Sequence, residues 1–264
     1  MFESGDKRGQ ITIFVVVGIL VVSGVILFFL YNSNILPEIG GRQETNVNAF
    51  LNTCLEEKTK EAVKELSLRG GDLNSKLHVE FKFMEDGVYR NISYLCYTEN
   101  KFRPCVSQKP TIFLDIQNNI KDYISSDVES CFEEMLSDFK RQGFEVSSDS
   151  RLIDFDVKLM PKKVSIQTNS EVTLTKSDET TTQKNFQVNI QSGIYDFAFI
   201  VQEIVNGEAQ FCYFEDTGFE VAYPEFRIGK FEMTDQTKIY TIENVNTGDK
   251  FRFATKGCVT VPGF

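Results

Sequence analysis

The sequence predicts an α+β protein. It orders an N-terminal transmembrane helix, a helix–β-hairpin–helix region, and an antiparallel β-rich region with one inserted helix. Three observations predict it. An uncharged apolar run extends from Ile11 to Leu30. Two long segments then repeat apolar residues at spacings of three and four, the helical period. Beyond Leu152 the apolar period falls to two, the period of a strand with one buried face.

The expected layout is a cytoplasmic N-terminus at 1–10, a membrane span at 11–31 and a linker at 32–44. A helical and hairpin region at 45–147 and the β-rich region at 148–264 follow. About twenty helical residues reach across a hydrocarbon core roughly 30 Å thick. A secretory signal has an apolar stretch of only about 7–15 residues and a small-residue cleavage site. This run ends in "FFLYNSN", which predicts an uncleaved anchor in the lipid bilayer. Lys7 and Arg8 precede it and the next cation is Arg42. The positive-inside rule therefore places the rest of the chain outside the cell membrane. Pro37 and Gly40-Gly41 then break any continuing helix.

"ETNVNAFLNTCLEEKTKEAVKELSLRGG" reads as a helix. Its stripe runs through Val47, Phe50, Leu51, Cys54, Leu55, Ala62, Val63 and Leu66; Lys58 interrupts it, and Gly70-Gly71 marks the stop. "HVEFKF" and "VYRNISYLCY" flank "MEDG", a hairpin with its turn. A long helix is expected from about Thr111 to Gln142, ended by Gly143. Ile116, Ile120, Ile124, Val128, Cys131, Phe132, Met135 and Phe139 form its stripe. "LIDFDVKLM", "VSIQT", "EVTLTK" and "NFQVNIQ" alternate as an antiparallel meander, with "SDETTTQ" expected as a polar loop. "SGIYDFAFIVQEIVNG" returns to helical spacing, with Ser192 as N-cap and Gly207 as stop. "KIYTIE", a turn at "NVNTGD" and "KFRFAT" complete the chain as a final strand pair.

Six cysteines all lie beyond the apolar run: Cys54, Cys96, Cys105, Cys131, Cys212 and Cys258. An even count in an extracellular segment reads as disulfides, with fifteen possible connectivities. Cys54 and Cys131 each fall on the apolar stripe of a helix, so packed helices can join them. Cys96 and Cys105 are close in sequence, and Cys212 with Cys258 would fasten the C-terminal tail. These three pairs are the expected pattern. With no C-x-x-C and one histidine, His78, no Cys/His zinc site is expected.

The net charge of −10 disfavours nucleic acid, which rewards clustered cations. No cofactor motif is present: there is no P-loop, no Gly-x-Gly-x-x-Gly and no His-Glu-x-x-His. Asp154 and Asp156 share one strand face and read as its polar side rather than as an acid/base pair. Asn91-Ile92-Ser93 is a glycosylation sequon. Phenylalanine reaches 24 residues, against nine tyrosines and no tryptophan; that favours a phenylalanine-rich core over a carbohydrate platform. "YFEDTGFEVAYPEF" is aromatic and irregular. Its Tyr213, Phe214, Phe219, Tyr223 and Phe226 are the expected contact surface for an extracellular or envelope protein partner.

Two resemblances accompany these readings. Lys7-Arg8-Gly9-Gln10 resembles an archaeal prepilin-type leader, in which cleavage falls between Gly9 and Gln10. Phe14 stands where that pattern carries an acidic residue. The chain as a whole resembles uncharacterised single-pass membrane-anchored proteins of DPANN archaea. The resemblance rests on Gly9-Gln10-Ile11-Thr12-Ile13-Phe14, Cys54-Leu55, Gly70-Gly71, Cys131-Phe132 and Phe251-Arg252-Phe253-Ala254. It implies a surface-exposed protein and supplies no catalytic residue. The expectation is therefore a non-enzymatic, membrane-anchored structural or interaction protein, serving adhesion, envelope organisation or partner binding. A pilin-like filament subunit is the alternative, and an extracytoplasmic hydrolase ranks third.

Overall fold

The computed structural model describes residues 17–19, 21–23, 46–100, 102–148 and 154–257. Met1–Thr45 and Asn46–Phe264 are separate compact units. In the first, residues 17–19 and 21–23 are helical, and Val17, Ile19, Val21 and Val22 are each more than half exposed. Among the described residues no helix is long and apolar enough to cross a membrane. The rest of the expected span at 11–31, and the Gly9-Gln10 leader site, lie outside the described residues.

The second unit is α+β. Helix α1 (Val47–Ser67) starts at Asn46, whose side chain accepts a hydrogen bond from the Ala49 amide at 3.2 Å, an N-cap that satisfies one orphan donor. Its buried stripe is Val47, Leu51, Leu55, Thr59, Ala62 and Leu66. Thr59 thus carries the stripe across the gap seen at Lys58, which is exposed. Helix α2 (Ile112–Arg141) buries Ile116, Ile120, Ile124, Val128, Cys131, Phe132, Met135 and Phe139 as its spacing predicts. Burial of each isoleucine contributes about 2–3 kcal/mol. Gly143, at φ 87°, turns the chain out of it. The two helices pack side by side, and one core joins them to the sheets.

Strands β1 (His78–Lys82), β2 (Tyr89–Tyr97) and β3 (Val106–Ser107) precede and follow the expected hairpin turn. At the other end of the chain lie β10 (Phe226–Glu232), β11 (Thr237–Asn244) and β12 (Lys250–Lys256). All six form one sheet in the order β1-β2-β12-β11-β10, with β3 on β2. The β2–β12 pair is parallel and carries an irregularity between Ala254 and Thr255. Phe81 on β1 meets Phe231 on β10, ring centroids 5.2 Å apart, so the sheet curls until its two edge strands touch. The curl encloses a second small core of Ile92, Tyr94, Ile239 and Ala254.

The central meander departs from expectation. It comprises β4 (Glu145–Ser148), β5 (Phe155–Met160), β6 (Lys163–Thr168), β7 (Glu171–Lys176), β8 (Glu179–Lys184) and β9 (Gln187–Gln191). These form two three-stranded sheets, β4-β7-β8 and β5-β6-β9. Residues 163–191 are one long hairpin that bends where Asn185, at φ 55°, donates to the Ser170 carbonyl. The segment expected as the loop "SDETTTQ" is a tight turn at Ser177-Asp178, both at positive φ, followed by β8. Strand β8 has no buried residue. It holds its place by β-branched threonines, with Thr173–Thr182 and Thr175–Thr180 hydroxyl pairs at 3.1 and 3.0 Å across the strands.

Helix α3 (Ile194–Phe211) continues past Gly207, the expected stop. A side chain at Gly207 would meet the Tyr213 carbonyl at 3.0 Å; glycine there admits the returning chain. Cys212, at φ 57°, is the left-handed C-cap instead. The N-cap is Gly193 rather than Ser192, whose Oγ accepts from the Ile194 amide at 3.2 Å. A short helix, α4 (Asp216–Ala222), follows and was not expected.

Gly70 and Gly71, at φ 78° and 81°, do more than end α1. A Cβ on Gly71 would lie 3.0 Å from Ile116 Cγ1. Gly71→Ala is expected to cost about 2–3 kcal/mol, combining left-handed backbone strain with crowding. Gly87, at φ 69°, has open space around it. Gly87→Ala should therefore cost only about 1 kcal/mol. Chemical denaturation of both variants checks the difference.

Candidate functional site

The hairpin turn "MEDG" and strand β12 build a linked group of charges. The turn closes with the Asp86 and Gly87 amides donating to the Phe83 carbonyl, each at 3.2 Å. It presents Glu85 and Asp86 to Arg252. Alternation along β12 sends Phe251 and Phe253 into the main core and Arg252 to the opposite face of the sheet. That face is covered as well, so Arg252 is only 1% exposed. Its guanidinium donates to both Glu85 and Asp86 and lies 3.7 Å from the centre of the Phe83 ring, a cation–π contact at short range.

The charges extend on both sides as a ladder of alternating sign. Lys250 Nζ is 2.7 Å from Glu85 and 3.7 Å from Glu243. Arg90 reaches Asp86 at 3.3 Å and Glu65 at 3.4 Å, and Arg69 reaches the same Glu65 at 3.3 Å. The Lys250 hydrogen bond, with its charge and that of Arg252, holds the Glu85 carboxyl below its ordinary range. Burial raises the Asp86 pKa, but Arg252 and Arg90 outweigh it and the net shift is downward.

The sign of the resulting pH dependence follows. Carboxylates with depressed folded-state pKa values stabilise the fold above the usual carboxylate range, and lose that contribution as pH falls through the folded values. Stability is expected to hold from pH 7 to about 5 and to fall below about pH 4. The Glu85→Gln/Asp86→Asn variant should be less stable at pH 7 and show a shallower acid decline. Urea titrations across pH measure both.

Beside the ladder lies a cavity of about 620 Å³. One wall is the second half of α1, from Thr59 to Leu68. A second is the β9–α3 connection, through Ile190, Gly193 and Phe197. A third is the loop before β12, with Glu85, Asp86 and Arg252 between them. Thr59 and Arg252 line this cavity, and Thr59 Oγ1 and Arg252 Nε are buried without a hydrogen-bond partner.

A separate buried cluster is closed on itself. Glu208 of α3, 2% exposed, accepts from Lys238 at 2.7 and 2.9 Å and from the Tyr240 hydroxyl. Lys238 also caps the helix through the Cys212 carbonyl at 2.9 Å. Burial, reinforced by Glu208, drives the Tyr240 pKa upward. Through Lys238 and Tyr240 the cluster fixes α3 to β11.

Cys54–Cys131 and Cys96–Cys105 are disulfides, with Cα separations of 5.9 and 5.3 Å. Cys212 is disulfide-bonded, and its expected partner Cys258 lies outside the described residues. No described cysteine is free. Among the described residues no three His, Cys, Asp or Glu side chains are grouped to hold a metal ion.

No protein-family model, no curated protein and no solved structure matches this chain.

The other expected positions are scattered. Asn91 is exposed on β2 opposite Glu80, while Ser93 of the same sequon is buried and donates to the Arg69 carbonyl at 2.6 Å. His78 is exposed, its Nδ1 2.7 Å from the Ser75 carbonyl. Asp154 and Asp156 are exposed and flank Lys121 at 3.7 and 3.4 Å, a surface ion cluster. The expected aromatic surface divides. Tyr213 and Tyr223 are 49% and 40% exposed, and Phe214 and Phe219 are half-buried against the core. Phe226 must be removed from that surface: it opens β10 as a core residue, 5% exposed, against Phe197. Sequence reading missed Thr59, Glu85, Asp86, Arg252 and Glu208. The apolar run of β2, "ISYLC", was the signal that this sheet is covered on both faces.

Proposed function

We propose that the chain is a membrane-anchored extracytoplasmic protein that displays residues 46–264 as a structural or interaction domain. The observation that carries the proposal is the cysteine state: two disulfides are defined and no described cysteine is free. Such pairing persists in oxidising compartments and is rare in reducing ones. The uncharged run from Ile11 to Leu30, preceded by Lys7 and Arg8, supports the anchor and its orientation. The exposed apolar side chains at Val17, Ile19, Val21 and Val22 agree with a lipid-facing helix.

The test is a membrane-impermeant amine reagent applied to intact cells, followed by carbonate extraction. The expected result is labelling of exposed lysines such as Lys58 and Lys60, with the protein remaining in the membrane pellet. Labelling only after lysis would reverse the topology, and release by carbonate would remove the anchor. Intact mass tests the pilin-like alternative, because processing after Gly9 removes the first nine residues.

A further inference from the structure

The cavity beside the charge ladder differs in character from the rest of this acidic chain. Its charged lining comprises Lys60, Lys64, Lys250 and Arg252 against Glu85, Asp86 and Asp249. Glu85 and Asp86 are already engaged by Arg252, Arg90 and Lys250. Asp249 accepts from the Thr247 hydroxyl at 2.8 Å, and Lys60 is paired with Glu56 at 2.5 Å. Lys64, by contrast, has no ion-pair partner among the described residues and stands one turn from Lys60 on the same wall. The N-terminus of α3 opens on the same space at Gly193 and Ile194, and its amides add a partial positive charge. Val63, Ile190 and Phe197 supply an apolar wall. The volume lies within the range of about 300–1,000 Å³ typical of small-molecule sites.

We propose that this cavity binds a small anion on an apolar body, a carboxylate or phosphomonoester carried by an aliphatic or aromatic group. The anionic oxygens meet Lys64 near the positive start of α3, and the apolar body lies against Val63, Ile190 and Phe197. The two orphaned buried donors on the lining, Thr59 Oγ1 and Arg252 Nε, call for the same kind of group. An acceptor oxygen is what pairs with a buried donor. A neutral ligand gains nothing from Lys64, and a bare inorganic anion leaves the apolar wall wet. The proposal does not depend on the compartment, so it and the topology experiment fail independently.

The test is a calorimetric titration of the full chain, held in zwitterionic lipid nanodiscs, with phenyl phosphate. Inorganic phosphate and benzyl alcohol serve as the anion-only and body-only controls. Saturable one-to-one binding of phenyl phosphate is expected, about tenfold or more tighter than either control, the order of one charge-assisted contact. Lys64→Glu, at an exposed position, should weaken it by about tenfold or more in a protein that stays folded, its melting temperature lowered only slightly by a carboxylate in the last turn of α1. Val63→Phe should abolish it by filling the space. Absence of saturable phenyl phosphate binding overturns the proposal. So does equal affinity for the controls, or binding unchanged in a folded Lys64→Glu protein.

Discussion

Replacing Arg252 by methionine is expected to lower stability by about 3 kcal/mol, read as a fall in the urea midpoint at unchanged slope. Arg252 is 1% exposed and bridges Glu85 and Asp86. Removing one partner of a buried ion pair typically costs about 3–5 kcal/mol because the other is left desolvated. Here the effect sits at the lower end. Glu85 is half exposed and keeps Lys250, and Asp86 keeps Arg90. Arg252→Lys should recover little. A compact, strongly hydrated ammonium cannot reproduce the rigid guanidinium fork that reaches Glu85 and Asp86 over the Phe83 ring. The Arg252→Met/Glu85→Gln/Asp86→Asn variant should be more stable than Arg252→Met alone, since no uncompensated charge remains. A loss below about 1 kcal/mol in Arg252→Met, the scale of a surface pair, would show that the ladder does not hold the turn against β12.

Cys54→Ser is expected to cost about 4.5 kcal/mol, more than substitution of either cysteine of the Cys96–Cys105 pair. The Cys54–Cys131 bridge ties residues separated by 77 positions, whereas Cys96–Cys105 spans 9. Loop-closure entropy assigns about 4.5 kcal/mol to the first and about 2.6 kcal/mol to the second. The long bridge also joins α1 to α2, the two helices at the centre of the main core. Cys96→Ser should loosen only the β2–β3 corner. Thermal melts of both variants under oxidising conditions rank them. Equal losses would mean that unfolded-state chain entropy does not govern this domain.

Much of the local structure was legible in advance because it depends on neighbours in sequence. The stripes of α1 and α2 repeat every three to four residues; they placed α2 within one residue at each end and α1 inside the segment 44–71. Those stripes also put Cys54 and Cys131 on the faces that meet. Where reading failed, the deciding contact was distant. Gly207 reads as a stop, but it is a clearance for the returning chain at Tyr213. "ETTTQK" reads as loop because it has nothing to bury, yet pairing with β7 makes it a strand. Phe226 reads as part of an irregular aromatic segment until its pairing with Asn244 aligns it with the core.

The charge ladder shows the division most clearly. By itself, the sequence determined the α+β class, the uncharged N-terminal run and the helix stripes, all carried by short local patterns, and it made two of the cysteine pairs the expected ones among fifteen connectivities. An alternating strand such as "KFRFAT" says which residues share a face, but not whether the second face meets water. Only the tertiary structure decided that, by pairing β12 with β2 in parallel and curling the sheet until Phe81 meets Phe231. Arg252 is thereby buried against acids 166 and 167 positions away, and the cavity forms where α1, the start of α3 and the turn before β12 converge. Burial of a charge is a property of all the surfaces around it, and no local pattern encodes that sum.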